Sequence, residues 1–165
     1  FDGIFRYGLY AHIVAAPLAL LIGTFQIMFR YEHRAAKAHR WLGIVYALLI
    51  LCMAAPGGFI MSFYAMGGAL GTLGFALLSA LWFGFMLQAW RLARTGQHVQ
   101  HRQYMLRSYV LTLSAVSLRL LAFGFIHYGN YTSEDAYLLI SWLSWLPQLL
   151  LLEVWLWLEL RKTRK

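Results

Sequence analysis

The sequence predicts an all-α fold: a polytopic transmembrane helical bundle forming one domain over residues 1–165. Three observations carry that reading. Of the 165 residues, 61% are hydrophobic and only 12% are charged, whereas a soluble domain of this length carries about a quarter charged residues. Five apolar runs approach the ~20 residues that a helix needs to cross a bilayer core. Twelve of the fourteen Lys and Arg lie in three short clusters between or after those runs. The net charge of +8 is therefore a topology signal and not a nucleic-acid face. Cys52 is the only cysteine, which excludes an internal disulfide and a thiolate metal set.

The first run, Tyr7–Phe29, places His12, Ala16, Ala19, Gly23 and Gln26 on one face at helical spacing. The second, His39–Ala55, is short. Pro56-Gly57-Gly58 is expected to end it, because proline removes a backbone donor and glycine is a poor helix former. The apolar, uncharged Phe59–Met66 then reads as a piece lying in the membrane interface. The third run, Leu70–Trp90, is entered through Gly67-x-x-x-Gly71, a spacing that permits close helix approach. The fourth is Tyr104–Phe125. The fifth, Tyr137–Leu158, contains Pro147, which is expected to kink it. Tryptophans Trp41, Trp82, Trp90, Trp155 and Trp157 read mostly as an interfacial belt.

The basic clusters fix the expected orientation. Arg30, Arg34, Lys37 and Arg40 follow the first run, Arg91, Arg94, Arg102 and Arg107 bracket the third connection, and Arg161, Lys162, Arg164 and Lys165 end the chain. All three belong on the cytoplasmic side. The other side holds Arg6, an uncharged connection and Glu134-Asp135. This sets the N-terminus outside and the C-terminus in the cytoplasm, in a bacterial inner (cytoplasmic) membrane. With the N-terminus outside and no signal peptide visible, a sixth helix is expected ahead of Phe1.

Depth follows from the helix rise of ~1.5 Å per residue. His39 and His101 stand at similar depth near the cytoplasmic interface, with His98 one turn before His101. Arg107 and Glu153 share the inner half with opposite charge, and a buried carboxylate needs such a partner. Arg119 and His12 lie in the outer half. His127 lies about 10 Å further out than His12, which makes those two a poor pair.

Three readings compete for the histidines. Imidazoles from facing helices, His39 with His101, suit the axial positions of haem b, with Arg107 and Arg119 neutralising propionates or holding a quinone oxygen. His39, His98 and His101 alternatively form an interfacial metal set for zinc or copper, with Glu153 or Glu159 as oxygen ligand. The structural alternative bonds them to loop carbonyls and phospholipid headgroups. Arg119 has no acid at its depth, and a cation in hydrocarbon costs on the order of 3 kcal/mol. It either clamps backbone carbonyls or holds an anionic ligand in a pocket of His12, Arg119, Trp142 and Trp145, opened by the kink at Pro147.

Five groups of residues carry a family resemblance: His12; His39-Arg40-Trp41-Leu42-Gly43; His101 to Tyr109 (HRQYMLRSY); Arg119; and Trp142-Leu143-Ser144-Trp145-Leu146-Pro147-Gln148 through Glu153. In these the chain resembles an uncharacterised bacterial family of predicted membrane proteins, catalogued as a domain of unknown function, over nearly its whole length. Gln148 stands where that family carries Asn. The resemblance implies the fold and no activity. By analogy, its histidine placement is similar to that of haem-binding four-helix membrane cytochromes.

The expected function is that of a haem b or quinone binding component of membrane electron transfer. The expected cofactor-binding residues are His12, His39, His101, Arg107, Arg119, Trp145 and Glu153. Its partners are the lipid bilayer and a larger membrane redox complex, with no nucleic acid. The alternative is a non-catalytic accessory or assembly subunit of a larger membrane complex. A small transporter is less well supported, since no inverted repeat or pair of broken helices is visible.

Overall fold

The computed structural model describes residues 3–28, 36–129 and 133–162. Arg30, Arg34, Arg164 and Lys165 of the basic clusters lie outside those residues. Among the described residues the chain is helical, with seven α-helices: α1 (Ile4–Met28), α2 (Ala36–Leu48), α3 (Ala55–Ser62), α4 (Gly68–Arg94), α5 (His98–Tyr128), α6 (Ser133–Leu143) and α7 (Leu146–Lys162). Five helical stretches are long and apolar enough to cross a membrane: Ile4–Met28, Lys37–Ser62, Gly68–Arg94, His98–Phe125 and Glu134–Lys162. The five expected spans are thus present, and each runs past its expected bounds at one end or both.

The second span corrects the sequence reading most. Pro56-Gly57-Gly58 does not end it. A π-helical turn, Leu49–Ala54, joins α2 to α3, and the Ala55 N–H donates to the Ile50 carbonyl, five residues back. The wider turn delivers Pro56 to the first turn of α3, where a missing N–H costs nothing. The two glycines serve helix crossing. A Cβ on Gly57 would stand 2.5 Å from the Gly8 carbonyl oxygen and 3.1 Å from the His12 nitrogen. Phe59–Ser62 consequently belong to α3, and only Phe63–Gly67 form the connection expected to lie in the interface.

The expected packing face of α1 is borne out, with Ala16, Ala19 and Gly23 buried. They meet Tyr46, Ala47, Ile50 and Ala54 in one core cluster, as small residues must where apolar lipid gives no hydrophobic drive to bring helices together. At the entry to α4, Gly67 takes φ +98° and lies against the backbone of α6, where a Cβ would be 2.8 Å from the Leu138 nitrogen. That conformation is open to glycine at little cost. Gly74, also buried, meets Ser141 of α6. Trp82 is not a belt residue; it is 5% exposed, inside the core.

The fifth span breaks as Pro147 requires. The regular helix is interrupted at Ser144-Trp145, between α6 and α7, where the Trp145 N–H turns to the Trp142 carbonyl, three residues back, at 3.5 Å. Among the described residues α7 packs only on α5 and α6. Two carboxylate–guanidinium bonds fasten it: Arg107 Nε to Glu153 Oε1 at 2.5 Å and Arg107 Nη2 to Glu153 Oε2 at 2.8 Å. The pairing expected from depth and charge is therefore present, in the bidentate form that gives such pairs their directionality.

Candidate functional site

The described ends carrying Lys37, Arg40, Arg91, Arg94, Arg102, Arg161 and Lys162 gather at one end of the bundle, since α1, α4 and α7 finish there and α2 and α5 begin there. A cleft of about 970 Å³ opens at this basic end. Its walls come from α1 (Gly23, Gln26, Ile27, Met28), α2 (His39, Tyr46), α5 (His101, Arg102, Met105, Leu106, Tyr109) and α7 (Glu159). On α5 the lining residues His101, Met105 and Tyr109 recur every four positions, and so share one helix face.

Gly23 makes room for this arrangement. A Cβ there would stand 2.8 Å from a Tyr109 ring carbon and 2.9 Å from a Tyr46 ring carbon, so glycine alone lets α1 close on both rings. His101 is half-buried, and its Nδ1 lies 2.8 Å from the Ala89 carbonyl oxygen. A carbonyl only accepts, so Nδ1 carries a proton, and in the neutral ring Nε2 is the one with the lone pair. His39, from α2, lines the same cleft. The Gln26 amide donates to the His39 carbonyl at 3.4 Å. At the exposed mouth Arg102 pairs with Glu159 at 3.5 Å.

A buried hydroxyl network backs the cleft. The Thr112 hydroxyl donates to the Ser108 carbonyl at 3.0 Å. Having one proton, it can only accept from its other neighbours: the Trp82 indole N–H at 3.1 Å and the Tyr46 hydroxyl at 3.0 Å. Thr24 repeats the pattern, donating to the Leu20 carbonyl at 2.8 Å and accepting from the Tyr109 hydroxyl at 2.7 Å. Each threonine thus ties helices together and fixes the direction of a tyrosine proton.

Of the expected site residues, His39 and His101 meet at this cleft. The others lie elsewhere. His98 is exposed at the start of α5, and no group of three or more His, Cys, Asp or Glu able to hold a metal ion exists among the described residues. The three histidines expected as a metal set therefore do not form one. Arg107 and Glu153 are committed to each other. His12 sits half-buried towards the other end of the bundle, with Nδ1 2.7 Å from the Ala54 carbonyl oxygen and its ring edge-on to Trp82. Trp145 is buried and donates to the Ser141 carbonyl at 2.7 Å, while Trp142 donates to the Leu70 carbonyl at 3.2 Å. These tryptophans face α4 and their own helix. Of the expected pocket of His12, Arg119, Trp142 and Trp145, the helices that carry His12 and Trp142, α1 and α6, do not pack on each other. Arg119 folds back along its own helix, donating to the Ala115 carbonyl at 2.8 Å, and is exposed. His127 is exposed and stacked on Phe123.

Sequence reading missed Gln26, Tyr46, Tyr109, Thr24 and Thr112. The signal was there in part, in the polar residues His101, Tyr109 and Thr112 along one face of an apolar helix. Neither the curated proteins nor the solved structures contain a match to the chain. The family model described as "Predicted membrane protein (DUF2306)" matches residues 9–156. That span reaches into every helix and includes the two histidines of the cleft and the Arg107–Glu153 pair, and the chain belongs to this family of membrane proteins.

Proposed function

We propose that the protein is a component of membrane electron transfer, and that the cleft at the basic end holds a flat redox ring, haem b or a quinone headgroup. The observation that carries this is the meeting of His39 and His101, from two helices, in one cleft of about 970 Å³. The donor set fits such a group. His101 is oriented by a carbonyl bond to its other nitrogen, as ligating imidazoles commonly are. Met105, Leu106 and Ile27 supply apolar wall, and the tyrosine rings supply flat surface. When bound, either group would supply the electron chemistry; the chain's residues orient it and keep its edge dry. The same reading puts the basic end in the cytoplasm of a bacterial cell and the C-terminus with it.

The visible spectrum of protein purified in mild detergent tests this. Haem b gives an intense band that sharpens on dithionite reduction and is lost in His101→Ala. A quinone instead appears in a solvent extract, at a molar ratio near one, and is lost in the same variant. Protein carrying neither, after purification from membranes rich in both, would sink the proposal.

One observation favours a second reading, an accessory or assembly subunit of a larger membrane complex. Arg119 lies some 9 residues from the end of a 31-residue helix, well inside the membrane, yet its guanidinium is exposed and bonded to its own helix. A partner subunit bearing an acceptor would relieve that cost. Stoichiometric co-purification with a membrane redox complex, abolished by Arg119→Leu, supports this reading; a monodisperse single chain in native-lipid particles goes against it.

A further inference from the structure

We infer that the cleft is built for a ligand that donates hydrogen bonds, a hydroquinol headgroup in preference to its oxidised quinone. The inference rests on the reading that a redox ring occupies the cleft, and it follows from where the protons of the lining groups point. His101 spends its Nδ1 proton on the Ala89 carbonyl, so in the neutral ring the nitrogen left for a ligand is an acceptor. The Tyr109 proton goes to Thr24, whose own proton is held by the Leu20 carbonyl. The Tyr109 oxygen is left with lone pairs alone. Tyr46 is bound the same way through Thr112, so neither tyrosine has a phenolic proton to offer.

Of the other polar groups, Gln26 is set the same way, while His39 on α2 keeps a ring N–H and stands across the cleft on another helix. The Gln26 amide N–H₂ is turned to the His39 carbonyl, and its oxygen is an acceptor. The Arg102 cation is the strongest donor in the lining, but it stands at the exposed mouth, where one of its N–H groups faces the Glu159 carboxylate at 3.5 Å. A quinone has two carbonyl oxygens and no proton to give, so opposite His101 and Tyr109 it faces lone pair against lone pair. A hydroquinol has two hydroxyls, and each finds an acceptor. Leaving polar groups unmatched in a site is what discriminates between ligands of one shape.

The test uses the full chain in lipid nanodiscs under anaerobic conditions, with empty nanodiscs as blank. The probes are a decyl-substituted benzoquinone and its two-electron-reduced quinol, with binding followed by quenching of tryptophan fluorescence. The quinol is expected to bind about tenfold more tightly, equivalent to about 1.4 kcal/mol. Tyr109→Phe keeps the ring against Gly23 and removes one acceptor, and should bring the ratio to about threefold. His101→Ala should lower it further. Saturable binding of both forms with equal affinity, or tighter binding of the quinone, overturns the inference while leaving the cleft as a redox-ligand site. No saturable binding of either form, in protein that carries a haem band, overturns the inference and assigns the cleft to haem. No binding and no haem overturns both.

Discussion

Thr112 shows how much one hydroxyl decides. It accepts from Trp82 and Tyr46 and donates to its own helix, so three helices meet on one oxygen. Thr112→Val keeps the shape and removes the acceptor. Two buried donors are then stranded, at about 1–3 kcal/mol each. The variant should melt well below the parent in detergent, by circular dichroism, and Thr112→Ser should recover most of the loss. None of this was legible in the sequence. Thr112 reads as a polar residue in a span, and its partners depend on how α2, α4 and α5 are rotated about their axes. Arg107 and Glu153 were legible, because depth along a helix follows from residue count and opposite charges at one depth have nowhere else to go. Arg107→Gln and Glu153→Gln should each cost about 3 kcal/mol, since each leaves the other charge alone. The double variant should lose clearly less than the two losses added, as a double-mutant cycle in thermal melting would show.

At the scale of elements, composition marked where helices exist, and misjudged what Pro56-Gly57-Gly58 is for. In water that run stops a helix. Here it lies where α3 crosses α1, and the missing side chains let two backbones touch at Gly8 and Gly57. Gly57→Ala should therefore be strongly destabilising, because its Cβ meets backbone that cannot step aside. Gly124→Ala is the control: a Cβ at Gly124 has nothing within 4 Å, and it should melt at or slightly above the parent temperature. The break in the fifth span was legible, since Pro147 sits in an otherwise continuous run. The extent of α5 was not: its 31 residues start at His98, because polar residues outside the hydrocarbon still form helix.

For the whole molecule, the class and the five crossings could be read from the distribution of apolar and basic residues alone. The position of the cleft could be read only in part. His39 and His101 were paired by depth, but lateral neighbours are not encoded in depth: α1 and α6 share the outer half without packing on each other. The orientation rests on charge and is open to a direct check. In a Cys52→Ser background, Glu134→Cys should react with a membrane-impermeant maleimide added to intact cells, and Arg94→Cys only after permeabilisation. The reverse pattern would turn the molecule over and put the cleft on the outer face.

The π turn at Leu49–Ala54 amounts to a single residue in excess of a regular helix. Its consequence is one of phase. The stretch from His39 to Tyr46 is set to the cleft, and the stretch from Ala55 to Ser62 is set to α1, and the two settings differ by one residue's rotation, about 100°. Deleting Met53 would heal the helix and leave every side chain in it chemically sound. It would also turn Gly57 off Gly8 whenever Tyr46 is held on Thr112, so that the chain keeps either its cleft or its crossing. A change that idealises the helix would thus cost the protein one of these two settings.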